Sequence, residues 1–303
     1  MGKIIATVIV GAQSEPHLAQ ALESVYEAVD GVVIDYNGKN ESNWQAIIGS
    51  RLYREGRIRL EESEFVDYAQ ARNNTLRMLN KDTSWFFRLD ADEVHFPEDL
   101  NKITRQLLPS LKDDVGMLDA YWLCFFHSFK YVRPLERRHD LFVRFYPDMH
   151  WTRSIHEQLQ GRRGVRVAAP YVFHHYADIK DPQDFLAKHK DYVVRTNAED
   201  TLKKVYPINN LHDHFLEHKK KGEVLRYIGD FPSVEIPWRK TPPKYLSDMQ
   251  NELDDLFCNV PVAQRGAKSR ILFRLLPLLY NLDNWTARRE AINLAFNLKL
   301  RLP

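Results

Sequence analysis

Apolar positions change period repeatedly over the first two hundred residues. Residues 4–10 are a β-branched run, and Leu18, Leu22, Val25 and Val29 then recur at helical spacing within 15–29. Gly31 breaks that helix, Val32-Val33-Ile34 forms a second short strand, and Asp35 stands at its end before the polar loop 36–42. A helix over 43–54, a strand at 58–60 and a helix over 68–79 follow. Trp85-Phe86-Phe87-Arg88-Leu89 reads as a strand covered on both faces, and it stops abruptly at Asp90-Ala91-Asp92-Glu93. This alternation predicts an α/β fold with a mostly parallel, Rossmann-like sheet flanked by helices. Right-handed crossovers place the strand tips on one edge, so that Asp35 and the 90–93 acids face one cleft.

Pro97 opens a helix through 108. Residues 116–126 and 141–146 read as long strands, the second preceded by Arg137-Arg138-His139. A loop carrying Trp151, Arg153, Ile155, His156 and Glu157 leads to an apolar stretch at 165–176 that ends in His174-His175. From Pro182 the pattern is helical: 185–196, 202–220, 243–257, and 267 to the end with a break near Pro277. The chain therefore divides into a sheet domain at 1–200 and a helical extension at 201–303 that serves acceptor binding or self-association.

Composition adds a bias in charge. Hydrophobic residues at 44% and charged residues at 28% are those of a globular protein able to bury a core. Residues 1–200 carry 26 Lys/Arg against 30 Asp/Glu, and residues 201–303 carry 17 against 11. Such a basic tail meets anionic lipid or nucleic acid, or is simply solvated surface. Cys124 and Cys258 are too few for a disulfide framework or a thiolate metal site, which suits a reducing compartment. With residues 4–11 read as a strand and no apolar run of membrane-spanning length, the expectation is a cytoplasmic protein, with peripheral contact at a membrane face as an option.

Two carboxylates one residue apart can converge on one hard cation, Mg²⁺ or Mn²⁺, whose charge offsets their repulsion, and such a cation commonly serves a phosphate. By itself an Asp-x-Asp is as readily a pair of turn acids or caps. The surrounding motifs change the reading. Asp67-Tyr68-Ala69-Gln70-Ala71-Arg72-Asn73-Asn74, Asp90-Ala91-Asp92-Glu93, Leu141-Phe142-Val143-Arg144-Phe145-Tyr146-Pro147, Ile155-His156-Glu157-Gln158-Leu159 and His175-Tyr176 follow one another in order. In this order they resemble the bacterial branch of the family 2 glycosyltransferases with the GT-A fold, over about residues 1–195. Two departures stand out: Tyr36-Asn37-Gly38-Lys39-Asn40 replaces the family's Gly-Ser-x-Asp loop, and Ala177 replaces the Gly of its His-Tyr-Gly.

The resemblance implies an inverting, metal-dependent transferase that moves a sugar from a nucleotide diphosphate sugar, a UDP-sugar foremost, to an acceptor hydroxyl. It implies Asp90, Asp92 and His175 as metal ligands, with His174 as the competing neighbour of His175. Asp35, Asp67, Arg72, Asp90 and His156 are implied as nucleotide-sugar contacts, and Glu157 as the catalytic base with Glu93 as fallback. The structural alternatives are a helix cap for Asp35, a surface ion pair for Arg72, a partner of Arg144 or Arg153 for Glu157, and core packing for His175. Cys124, in an aromatic strand, is expected to serve packing alone.

The expected acceptor is a glycan or lipid-linked glycan, with residues 271–276 and the nearby Arg265, Lys268 and Arg270 as a lipid-facing stretch. A hydroxymethylated DNA base is the alternative, served by Trp238, Arg239 and Lys240, and a protein side chain is a third. From other classes stand an inactive nucleotide-binding module and a nucleotidyltransferase, though the latter is expected to show a Gly-rich phosphate loop after the first strand.

Overall fold

The computed structural model describes residues 2–155, 157–199, 208–260 and 262–263 of the 303-residue chain. The first half alternates as its periodicity requires. The elements are β1 (Lys3–Val10), α1 (Leu18–Val25), β2 (Gly31–Tyr36), α2 (Glu41–Ile48), α3 (Arg51–Arg54), β3 (Ile58–Glu62), α4 (Tyr68–Arg77) and β4 (Thr83–Arg88). Then come β5 (Glu93–Val94), α5 (Pro97–Lys102), a π-helical turn (Ile103–Leu107), α6 (Leu108–Ser110), β6 (Val115–Cys124), β7 (Tyr131–Val132) and β8 (Glu136–Arg144). The rest comprises β9 (His150–Thr152), β10 (Gln158–Gln160), β11 (Val165–His175), α7 (Pro182–Glu199), α8 (Leu211–Lys221), β12 (Leu225–Tyr227), α9 (Pro237–Lys240), α10 (Lys244–Leu256) and β13 (Val262–Ala263).

Eight strands form one sheet in the order β3-β2-β1-β4-β8-β6-β11-β5. Four of its pairings are parallel and three antiparallel, the latter because β8 runs against both its neighbours and β5 against β11. β1, β2 and β4, being parallel, end together at one edge, where ligands bind in open α/β sheets. Along β4 the side chains alternate: Trp85 and Phe87 enter the core that also holds Leu22 and Leu100, while Phe86 packs on the opposite face with Ala69, Leu76 and Trp151.

Several helices are shorter than their periodicity suggests. The expected helix at 43–54 is two, because Ser50 turns its hydroxyl onto the Tyr53 amide and restarts the chain as α3. The expected helix at 97–108 widens into a π turn before Pro109, which has no N–H to continue the i→i−4 ladder. The strand expected at 141–146 begins earlier, so Arg137-Arg138-His139 lies inside β8 rather than before it. In the extension, α8 starts at Leu211, where Asn210 caps it, and stops at Gly222 in the left-handed conformation. Phe215, Tyr227, Leu246, Met249, Leu253 and Phe257 share one buried cluster with Phe125, Phe126 and Tyr176 of the sheet half. The lipid-facing stretch and the basic tail beyond 263 lie outside the described residues, as does the helix expected from 267.

Candidate active site

At the shared edge of β1, β2 and β4 opens a cleft of about 590 Å³. Its floor is Gly11, Ala12 and Gln13 after β1, Asn37 after β2, and Asp90 to Asp92 after β4. α7 supplies one wall with Lys188, Asp191 and Tyr192, and Glu157, Trp122 and His175 line the other parts. The loop after β1 is fixed from α2: the Asn43 amide donates to the carbonyls of Gly11 (3.2 Å) and Gln13 (2.7 Å), and its oxygen accepts from the Glu15 N–H (2.9 Å). Gly38 is required beside it, since a β-carbon there would come within 2.3 Å of the Ala12 nitrogen.

The two acids after β4 have different surroundings. Asp90 accepts from Arg72 on one carboxylate oxygen (2.6 Å) and from Arg138 on the other (2.7 Å). The Glu93 carboxylate accepts from the Asp90 amide (3.0 Å) and sits 3.1 Å from Arg138 Nε. Burial would raise the Asp90 pKa, but Arg138, Arg72 and Arg88 outweigh it and hold the carboxyl well below its usual range. Glu93, fully buried, goes the other way: burial dominates over Arg138 and pushes it up to about 7.

Asp92 instead faces His175 Nε2 at 3.3 Å and Lys188 Nζ at 3.6 Å. Burial opposes its ionisation, yet His175 and Lys188 keep it well below the ordinary carboxylate range. Burial likewise opposes the His175 imidazolium, and the Asp92 carboxylate overrides it, so His175 titrates well above its usual value. The ring lies flat on Trp122, 4.5 Å between centroids at 7°, and Nδ1 is 3.3 Å from Cys124 Sγ. Lys188 also reaches Glu15 at 3.7 Å.

The cleft thus brings together Asp90, Asp92, Arg72, Glu157 and His175 from four separate stretches of sequence. Glu157 is 3.8 Å from Arg72 Nε, so its cationic neighbour is Arg72 and not the expected Arg144 or Arg153. Asp35 departs from expectation. It is fully buried below the cleft floor, its oxygens taken by Ser63 (2.7 Å), Asn37 (3.0 Å) and Asn74 (3.1 Å), and Asn37 is the residue that reaches the cavity. Asp67 caps α4, accepting from the Gln70 N–H at 2.7 Å, and does not line the cleft. His174 is directed away, between the hydroxyls of Tyr176 (2.9 Å) and Tyr227 (3.1 Å), which settles which of the paired histidines meets Asp92. Cys124 touches His175 and so does more than fill the core. His156 lies outside the described residues.

Periodicity gave no hint of Arg88, Arg138 and Lys188. Arg138 comes to the cleft because β8 carries an irregularity opposite Leu118 and Ala120, with Asp140 at positive φ (54°), and such bulges re-aim side chains. Among the described residues no three His, Cys, Asp or Glu side chains converge as a ready metal cage. Asp92 and His175 offer two ligands, which suits a cation that takes its remaining ligands from phosphate oxygens and water. Asp90 has both its oxygens held by guanidinium groups.

No family model matches the chain, and no curated protein matches it. Among solved structures it is similar to S. aureus TarS 1–349, at 14% identity over 96% of this chain and 91% of that one, with a TM-score of 0.36. A glucosyl-3-phosphoglycerate synthase from Mycobacterium tuberculosis, solved with Mn²⁺, UDP and glucosyl-3-phosphoglycerate, matches at 13% identity and a TM-score of 0.32. That match covers 40% of this chain and spans 44% of the synthase. A 4-diphosphocytidyl-2C-methyl-D-erythritol synthase from Anaerococcus prevotii matches at 12% identity over 64% of this chain and 99% of that one, with a TM-score of 0.35. Likeness at this level assigns no activity. Among the described residues no helix is long and apolar enough to cross a membrane.

Proposed function

We propose that the cleft binds a nucleotide diphosphate sugar, UDP-linked foremost, together with Mn²⁺ or Mg²⁺, and transfers the sugar with inversion to the hydroxyl of a glycan acceptor. The observation that carries this reading is the pairing of Asp92 with His175 at the sheet edge, with the Glu157 carboxylate in the same cleft. Asp92 Oδ and His175 Nε2 would hold the cation, which when bound neutralises charge on the departing diphosphate. Lys188, at 3.6 Å from Asp92, adds a second positive charge on that side.

In the transfer step the acceptor oxygen forms a bond to the anomeric carbon as the bond from that carbon to the phosphate oxygen breaks. Glu157 takes the acceptor proton, and the nucleoside diphosphate leaves with the bonding electrons. Arg72, anchored by Asp90, would hold Glu157 in place from 3.8 Å. Asn37 and the loop at 11–13 line the cleft and, in this reading, would contact the nucleoside in place of Asp35, which does not line it.

The reading is tested by incubating the protein with Mn²⁺ and a panel of UDP-, GDP- and dTDP-sugars and following release of free nucleoside diphosphate. Release from one donor, abolished in Glu157→Gln while that variant still binds the nucleotide, is the expected outcome. Absence of release and of binding for every donor would remove the transferase reading.

A further inference from the structure

Three guanidinium groups share the inner part of the cleft, and their partners are unequal. Arg138 has Asp90 and Glu93, and Arg72 has Asp90 and, at 3.8 Å, Glu157. Arg88 has no carboxylate partner among the described residues. It gives one N–H to the His139 carbonyl (3.3 Å) and lies 4.6 Å over the Trp151 ring. Arg88 is only 7% exposed and Arg72 6%, so neither group is hydrated as a surface arginine would be. Nonetheless Arg88 Nε, Arg72 Nη1 and Arg72 Nε have no hydrogen-bond partner among the described residues. Buried donors without acceptors are rare because each retains its full desolvation cost, and in a ligand-lined cavity the acceptor is supplied by the ligand. Both arginines line the cavity.

The position separates these donors from the Asp92 side. Asp92, His175, Lys188 and Glu15 form one chain of contacts, whereas Arg88 stands with Arg72, Trp151 and the β8 backbone on the face of β4 that carries Phe86. Trp151 and the His139 carbonyl hold the Arg88 fork in one plane, an arrangement that suits a planar or tetrahedral oxyanion better than a diffuse charge. We infer that Arg88 and Arg72 form a second anion subsite, separate from the diphosphate, that receives a carboxylate or phosphate carried by the sugar being transferred or by the acceptor. This rests on the reading of the cleft as a glycosyl-transfer site, with Glu157, beside Arg72, as the reacting base. The substrate would then present its hydroxyl or anomeric carbon to Glu157 and its anion to Arg88.

The test is calorimetric binding to wild type, Arg88→Met and Arg88→Lys. Methionine covers Trp151 with similar bulk but brings no charge, and lysine keeps the charge without the fork. With Mn²⁺ present, UDP is the control, UDP-glucuronate against UDP-glucose probes the donor, and glycerol 3-phosphate against glycerol on the UDP-loaded protein probes the acceptor. The expected result is that wild type prefers one anionic probe over its neutral counterpart. Arg88→Met loses that preference by about tenfold or more, Arg88→Lys retains part of it, and UDP affinity changes less than threefold.

Arg88→Met should also melt no lower than wild type, because it removes an unsatisfied buried cation; a purely structural Arg88 would give a clear loss of stability. Equal binding of charged and neutral probes by wild type, or unchanged preference in Arg88→Met, overturns the inference. So does an equal loss of UDP binding, which would assign Arg88 to the diphosphate. Should UDP not bind wild type at all, the transferase reading falls separately, and inorganic phosphate binding then decides: Arg88-dependent binding sustains the subsite, and Arg88-independent or absent binding overturns it.

Discussion

At the strand tips Asp90, Asp92, Arg72 and Arg138 are buried or half-buried as ions, each beside a group of opposite charge, whereas His127 is buried as a neutral ring among Phe126, Phe185 and Phe215. Burial, helped by Arg133 and His218 and opposed by Asp178, pushes the His127 pKa down to about 4, and neither ring nitrogen has a well-aligned side-chain partner among the described residues. The two regions are a few strands apart on one sheet, and each is dense in titratable side chains. What separates them is compensation. In the cleft each carboxylate has a cation within reach, so charge survives desolvation and stays available to a ligand. In the aromatic cluster Asp178 offsets only part of the desolvation and Arg133 adds to it, so the rings give up their protons and behave as core.

The contrast yields a graded set of tests. The largest effect belongs to Glu157→Gln, which should slow sugar transfer by about 10² to 10⁴ while leaving thermal stability and nucleotide affinity close to wild type, checked by steady-state kinetics beside a melt. Phe126→Ala, in the other region, should do the reverse. Fully buried against Phe215 and Phe257, it should cost about 3–5 kcal/mol in denaturant unfolding while the folded fraction still binds nucleotide.

Asp90→Asn lies between these in kind. It leaves Arg72 with only Glu157, at 3.8 Å, and Arg138 with only Glu93. Breaking a fully buried pair costs about 3–5 kcal/mol, and since the Asp90 side chain is 29% exposed the loss should be about 2–3 kcal/mol in urea unfolding. A loss below about 0.5 kcal/mol would show that the guanidinium groups do not depend on Asp90.

The smallest effect is in pH. His17, His95 and His127 are buried, and burial lowers their pKa values to about 4, about 3 and about 4. Folded-state values depressed below the unfolded value of ~6.5 mean that the unfolded chain binds more protons as pH falls from there. Stability is therefore full above about pH 6.5 and declines as pH drops through 4, with a slope of up to ~1.4 kcal/mol per pH unit for each ring. His127→Gln should flatten that slope by one ring's share; an unchanged slope would mean that His127 is protonated in the folded protein.

How far the sequence went differs between the same two regions. The strand from Trp85, the acids after it and the helix carrying Arg72 were legible as elements from their apolar period, and the acids gained a chemical reading only from the motifs around them. Glu157 and His175 were reached through motif order, not period. Asp35 was misjudged because a strand-end acid and an acid one layer below the surface have the same pattern; only the three donors of Ser63, Asn37 and Asn74 distinguish them. Arg138 was hidden by a two-residue irregularity in β8, which moves it along the partner strand, opposite Ala120, without altering the hydrophobic run. The histidine cluster was unreadable in advance, since His127, His214 and His218 meet only when α8 packs on the sheet.

The central claim is that Asp92 and His175 await a cation that joins the protein to a nucleoside diphosphate. It is tested most directly by melting wild type and Asp92→Ala with Mn²⁺, UDP, and both together. A ligand bound only by the folded state raises stability by about 2.7 kcal/mol at a hundredfold excess over its dissociation constant. The account predicts a rise for wild type that needs both ligands and is absent in Asp92→Ala. A UDP-induced rise of equal size without Mn²⁺, or one that survives in Asp92→Ala, would contradict it.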